Sequence, residues 1–284
     1  MTKEVKIETI SMGGNHPFVF IGGPCVIEDE AMVLSLARAI KEITASLAIP
    51  FIFKTSYDKA NRSALTSYRG PGLKKGLAVI EKVKSDLHIP VVTDVHRFEE
   101  IEPAARVVDM LQVPAFLSRQ TDFIIKVAEA GKAVNIKKGQ FMSPHEVKNL
   151  IAKATSTGNH HVLVTERGFS FGYNNLVVDM RGLPIMRSFG YPVVFDASHS
   201  VQLPGGLGTA SGGERRFVEC LARAAAAAGI DGLFMEVHGD PDRARCDGPN
   251  MLGVDSLAPL LRQVQAIDAL VRGDGVPSGQ ARPS

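Results

Sequence analysis

The stretch FKTSYDKANRSALTSYRGPG, Phe53 to Gly72, carries Lys54, Lys59, Arg62 and Arg69 interleaved with Ser56, Asn61, Ser63 and Ser67, and it follows directly on the apolar run AIPFI. A strand that runs out into this many anion donors has what a phosphate or carboxylate site requires. Arginine offers a planar fork, lysine a point charge, and serine and asparagine short hydrogen bonds. The same residues would also serve as a solvated basic loop, where most clusters of Lys and Arg belong. What the rest of the chain brings to this place decides between the two.

The elements that must position these residues recur along the chain. EVKIE, separated by SMGGNHP from FVFI, reads as a short N-terminal hairpin. FVFIGGPC is then a buried strand followed by a helix from about Glu30 to Leu47. FIFKTS, VVTDV, VVDMLQVPA, VNIKKG, HVLVTERG, PVVFDAS and GLFMEVH repeat the pattern, each ahead of an amphipathic helix, the least regular being a short one near Leu176 to Arg187. Continuously apolar strands alternating with helices imply parallel strands buried on both faces. Eight such units in one domain of this length predict a (β/α)8 TIM barrel with a short N-terminal β-hairpin over residues 1–273, with 274–284 a disordered tail by composition. GGPC is too short to be a dinucleotide fingerprint.

Active sites of such barrels lie where strands run out into the following helices. Those positions hold Cys25, Lys54, Asp94 with His96, Gln112, Lys137 with Lys138, Glu166 with Arg167, Asp196 with His199, and Glu236 with His238. Lys54, Lys59, Lys137, Arg167, Arg62 and Arg119 exceed what one phosphate needs, so two anionic substrates, or one with several anionic groups, are expected. Cys25, His199, Glu236 and Asp247 form a mixed soft and hard donor set suited to Zn²⁺, Fe²⁺ or Mn²⁺. They share no short spacing motif, and taken singly Cys25 is more often a small buried packing residue and His199 a hydrogen-bonded strand-end residue. Cys246, beside Asp247, is a rival ligand.

Composition narrows the function classes. A formal charge of +2 over 284 residues, with no block of like charge, disfavours nucleic-acid or membrane-surface binding and favours small-molecule substrates. No apolar run reaches membrane-spanning length, and MTKEVKIETI lacks the order of a signal peptide. Three widely spaced cysteines suit reduced thiols in a cytoplasmic protein.

GGPCVIE, FKTSYDKANRSALTSYRGPGL, TDVH, LQVPAFLSRQTD, NIKKGQFMSP, ERGFSFGYNNLVVDM, FDASHSVQ, SGGERRFVECLARA and MEVHGDPDRARCDGPNML, in this order, resemble the 3-deoxy-D-manno-octulosonate 8-phosphate synthases. The resemblance runs from about Phe18 to the last helix, and KANRS and RGFSFGYNNLVVDM are its most specific segments. It implies condensation of phosphoenolpyruvate with D-arabinose 5-phosphate and water, on the route to the Kdo sugar of lipopolysaccharide. The related synthase that uses erythrose 4-phosphate shares the barrel but has a different loop in place of KANRS.

By the same resemblance, Lys54, Ser56, Lys59, Gln112, Lys137, Arg167 and the backbone N–H of Ala115 hold phosphoenolpyruvate, and Lys59, between the two substrates, contacts its carboxylate and polarises the aldehyde as a general acid. Asn61, Arg62 and Ser63 grip the phosphate of the sugar, and Arg119 reaches a neighbouring subunit's site, which implies a homotetramer. Lys59, His199 and Asp247 are the catalytic set. Cys25 marks the metal-dependent branch, with His199, Glu236 and Asp247 as the other ligands, whereas CDGPN around Asp247 resembles the metal-independent branch. The resemblance implies no organic cofactor. Pro204 to Glu214, PGGLGTASGGE, has the glycine density of a lid.

Overall fold

The computed structural model describes residues 1–62, 64–206 and 211–273. Strands β1 (Val5–Ile7) and β2 (Ile10–Met12) form an antiparallel hairpin. Its turn falls at Glu8 and Thr9, so the second arm is Ile10–Met12 and the segment FVFI is left for the barrel.

The barrel follows as β3 (Val19–Gly23), α1 (Glu30–Ser46), β4 (Phe51–Lys54), α2 (Leu73–Leu87), β5 (Val91–Asp94), α3 (Phe98–Val107), β6 (Met110–Val113), α4 (Thr121–Glu129), β7 (Ala133–Lys137), α5 (Val147–Thr155) and β8 (Val162–Glu166). A ribbon of β9 (Phe169–Ser170) and β10 (Leu176–Val177) precedes α6 (Gly182–Arg187) and β11 (Val193–Asp196). A second ribbon, β12 (Gln202–Leu203) with β13 (Gly212–Gly213), leads to α7 (Val218–Ala228), β14 (Gly232–His238), β15 (Leu252–Gly253) and α8 (Val254–Arg272).

Strands β3, β4, β5, β6, β7, β8, β11 and β14 pair in parallel in that order, and β14 pairs back onto β3. This is the closed (β/α)8 barrel expected of eight strand–helix units. The short helix expected near Leu176 to Arg187 is corrected: Leu176–Val177 is extended and only Gly182–Arg187 is helical.

Two apolar layers hold the barrel. Outward-facing strand residues such as Phe20, Phe53, Leu111 and Phe195 pack against the helices. Inward-facing Val19, Ile21, Ile52, Val92, Met110, Leu163, Val194 and Phe234 fill the lower interior, joined by Val5, Ile7 and Met12 from the hairpin. The hairpin therefore plugs the end where the strands begin, and chemistry is left to the opposite end. There the basic segment after β4 is pressed against α2, where a Cβ on Gly76 would lie 2.2 Å from Cβ of Tyr57. That close approach requires glycine.

Candidate active site

Above the apolar interior the inward positions turn polar. Asn135 donates to Gln112 Oε1 at 3.2 Å and accepts from Thr165 Oγ1 at 2.7 Å, a buried belt on which the mouth is built. Over it lies a cleft lined by Lys54, Lys59, Asn61, Arg62, Asp94, His96, Gln112, Ala115, Lys137, Gln140, Arg167, His199, Gln202, Cys246 and Asp247. It brings together the expected anion-binding residues Lys54, Gln112, Ala115, Lys137, Arg167, Lys59, Asn61 and Arg62. Ser56 lies buried under the floor, accepting from Lys54 Nζ at 2.9 Å and donating to Asp94.

Lys54, Lys59, Lys137 and Arg167 are buried, so their fields are little screened. Lys54 Nζ stands 3.6 Å from Glu236 Oε1 and 3.9 Å from Asp94 Oδ1, and 5.7 Å over the Phe234 ring. Lys137 Nζ sits 3.9 Å over the same ring and is paired with Asp196. Burial lowers the pKa of Lys137 despite Asp196, and Lys54 nearby adds to the fall. Burial would also lower Lys59, but Cys25, Glu236 and Asp94 around it raise it well above the ordinary lysine value. Lys59 is thus a firmly held cation and a reluctant proton donor. Arg167 donates to Gln202 Oε1 at 2.8 Å and to the His199 carbonyl at 3.2 Å, and its buried Nε has no partner among the described residues.

The expected ligand residues converge below these cations. His199 Nδ1 lies 2.8 Å from Asp196 Oδ2, which places the ring proton there and turns Nε2 toward Glu236 Oε1 at 3.7 Å and Asp247 Oδ2 at 3.8 Å. Cys25 Sγ is 3.5 Å from Asp247 Oδ2 and 3.0 Å from Cys246 Sγ. Ligand atoms of His199, Glu236 and Asp247 lie within 4.8 Å of one another, as do those of Cys25, Cys246 and Asp247. Asp247 joins the two groups.

Glu236 tests whether these residues fit a metal. It is fully buried, and neither carboxylate oxygen has a hydrogen-bond partner among the described residues. Burial would raise its pKa, but His199, Lys59, Lys54 and Lys137 bring it down to about 2, so it is ionised. A buried carboxylate that accepts no hydrogen bond is rare; the ammonium groups of Lys54 and Lys59 stand 3.6 Å from Oε1, beyond hydrogen-bond reach, which leaves both oxygens open to a metal ion. Burial, then contact with Cys246, pushes the Cys25 thiol well above its usual value, a proton that a bound metal would displace. The donor set fits a divalent ion of intermediate softness.

Some expected residues are not in the cleft. Lys138 and Glu166 point behind the barrel wall and pair at 3.5 Å, and His238 faces Glu28 and the backbone N–H of Asp240. Lys138 and Glu166 are the strand neighbours of Lys137 and Arg167 and so face away, whereas His238, two residues beyond Glu236 at the end of β14, is held by Glu28 and the turn to Asp240. Arg119, with its side chain 62% exposed, stands 3.7 Å from Glu146 and does not line its own chain's cleft. Ser63 lies outside the described residues, as do 207–210 of the expected lid and the tail 274–284. Pro204, Gly205 and Ser211, on either side of 207–210, border the cleft. Gln140 and Gln202 were not anticipated as site residues, because a glutamine beyond a strand end gives no signal of its own.

The sequence matches the DAHP synthetase I family over residues 2–272. It is 57% identical over 272 residues to the 2-dehydro-3-deoxyphosphooctonate aldolase of Geotalea daltonii, covering 96% of this chain and 100% of that protein. The protein of the same name from Geobacter metallireducens gives the same figures. That of Syntrophotalea carbinolica is 54% identical over 274 residues, covering 96% and 99%.

Proposed function

The chain belongs to the DAHP synthetase I family, and from that premise we propose that it joins phosphoenolpyruvate to D-arabinose 5-phosphate and water, giving 3-deoxy-D-manno-octulosonate 8-phosphate and phosphate. The observation that carries this reading is the near full-length identity to proteins named for the phosphooctonate, with the KANRS segment intact at the mouth. The product would feed Kdo synthesis in the cytoplasm. Among the described residues no helix is long and apolar enough to cross a membrane.

Lys54, Gln112, Lys137, Arg167 and the Ala115 N–H hold phosphoenolpyruvate, with Ser56 buttressing Lys54 from below. Asn61, Arg62 and Ser63 hold the sugar phosphate. Carbon 3 of phosphoenolpyruvate bonds to the aldehyde carbon, water adds at carbon 2 and gives up a proton that ends on the aldehyde oxygen, and the carbon–oxygen bond to phosphate breaks as the carbon 2 hydroxyl becomes the ketone and its proton leaves with the phosphate. Lys59 lies between the two substrates and donates a hydrogen bond to the aldehyde oxygen; its raised pKa favours this fixed polarising role over full proton transfer. Cys25, His199, Glu236 and Asp247, drawn from two groups that share Asp247, would hold Zn²⁺, Fe²⁺ or Mn²⁺, and the ion would supply Lewis acidity to the site. Asp196 keeps His199 in the tautomer that serves this set. The reaction requires no organic cofactor.

Residues 1–273 act as one catalytic unit, and the exposed Arg119 supports a homotetramer in which it completes a neighbour's site. Substrate choice tests the reading. Phosphate release from phosphoenolpyruvate is expected with arabinose 5-phosphate and not with erythrose 4-phosphate; release with the four-carbon sugar alone overturns it.

A further inference from the structure

Lys138 is a lysine with 1% exposure that takes no part in the chemistry above. Asn135 and Thr165 point into the barrel, so Lys137 and Arg167, each two residues further on, also point inward to the cleft. Lys138 and Glu166 therefore face the opposite way, directly behind them, with Nζ and Oε1 3.5 Å apart. Lys138 Nζ donates to the carbonyls of Met142 at 3.1 Å, Gly168 at 3.3 Å and Gly139 at 3.4 Å. Glu166 Oε1 accepts from the backbone N–H groups of Arg167 at 3.0 Å and Gly168 at 2.5 Å. One buried ion pair thus ties the loop leaving β7 to the loop leaving β8, and it grips the backbone of Arg167 itself.

We propose that Lys138, with Glu166, is a positioning residue that sets the spacing of Lys137 and Arg167 and so the grip on phosphoenolpyruvate; the identity of that substrate rests on the function proposed above. Lys137 pairs with Asp196, and Arg167 with Gln202 and the His199 carbonyl, but none of these contacts joins the two cations to each other, so their spacing follows that of the two loops that carry them. The backbone ladder ends just here, where Lys138 N–H donates to the Thr165 carbonyl at 2.8 Å. Beyond that rung, Ser170 N–H to the Gln140 carbonyl and the Lys138 ammonium connect the two loops. A displacement of about 1 Å at such a site costs roughly a hundredfold in rate.

Titration calorimetry of phosphoenolpyruvate and, separately, of arabinose 5-phosphate into the wild type, Lys138→Met and Glu166→Gln tests this without turnover. In Lys138→Met the dissociation constant for phosphoenolpyruvate is expected to rise roughly tenfold or more, with that for the sugar phosphate changed by less than about twofold. A smaller rise of the same selectivity is expected in Glu166→Gln, which keeps both backbone acceptor contacts. A merely structural role would lower the melting temperature and leave the ratio of the two affinities unchanged, and that result overturns the proposal. If Lys138→Met does not fold, Glu166→Gln decides by the same ratio. Phosphate release by the wild type, followed in parallel, tests the proposed reaction separately: an inactive wild type that still binds phosphoenolpyruvate with this selectivity overturns the reaction and leaves the spacing role supported.

Discussion

Arg62 places Nη1 2.8 Å from Cys246 Sγ and 3.7 Å from Asp247 Oδ1, so the arm proposed to grip the sugar phosphate rests on the loop that carries a proposed metal ligand. Replacing it with alanine should raise KM for arabinose 5-phosphate by roughly tenfold or more, the worth of a charge-assisted hydrogen bond, with a smaller effect on KM for phosphoenolpyruvate. Equal rises for both substrates would contradict the division of the cleft. His96 sets a second test. Burial opposes its charge, but Asp94 at 3.0 Å and Glu100 at 3.6 Å raise its pKa to about 9. Arg97 pairs with Glu100 from the exposed side, and the Tyr57 ring stands edge-on at 5.9 Å. A pKa raised on folding contributes stability that is complete below the unfolded value near 6.5 and is lost as pH rises through about 9. Unfolding free energy should therefore fall between these pH values by up to about 3 kcal/mol, and His96→Asn should remove that part of the slope. An identical slope in the variant would show that His96 is not held as an imidazolium.

Among the elements, the hairpin and the loops beyond the strands do different work. Ile7 on β1 is 1% exposed and packs into the barrel end opposite the cleft. Ile7→Ala should cost about 2–5 kcal/mol in chemical unfolding while kcat of the folded enzyme stays near the wild-type value. A loss of kcat without loss of stability would mean that the plug communicates with the mouth. The barrel was legible because each strand is apolar on both faces and each following helix is amphipathic, a pattern local enough to read from VVTDV or PVVFDAS alone. The stretch ahead of α6 was not, because Leu176, Met180 and Leu183 fall at helical spacing. The chain reverses there instead, with Gly172 at φ 73° and Asn174 at φ 54°, and pairs β9 with β10. Lys138 and Glu166 were placed at the mouth because composition identifies a strand end but not, to one residue, which face it presents. Of the residues named from the family likeness, Lys54, Lys59, Asn61, Arg62, Gln112, Ala115, Lys137 and Arg167 line one cleft while Arg119 does not and Ser63 lies outside the described residues; Gln202 enters only through the tertiary contact with Arg167.

At the scale of the whole molecule, Arg119 lies outside its own chain's cleft, and under the proposed function it completes the site of a second chain. Arg119→Ala and Lys59→Ala should each be nearly inactive alone, while subunits of the two variants, dissociated and reassembled together, should recover activity in sites that draw an intact residue from each. No recovery in proven mixed oligomers would return Arg119 to a surface role. The most direct test of the central claim, that the mouth joins phosphoenolpyruvate to a sugar phosphate around a Cys25, His199, Glu236 and Asp247 metal set, is phosphate release from phosphoenolpyruvate with arabinose 5-phosphate before and after exhaustive chelation. The account predicts activity that is lost on chelation and restored by Zn²⁺, Mn²⁺ or Fe²⁺. Full activity in protein shown to be free of metal would contradict it and leave Cys25 a packing partner of Cys246.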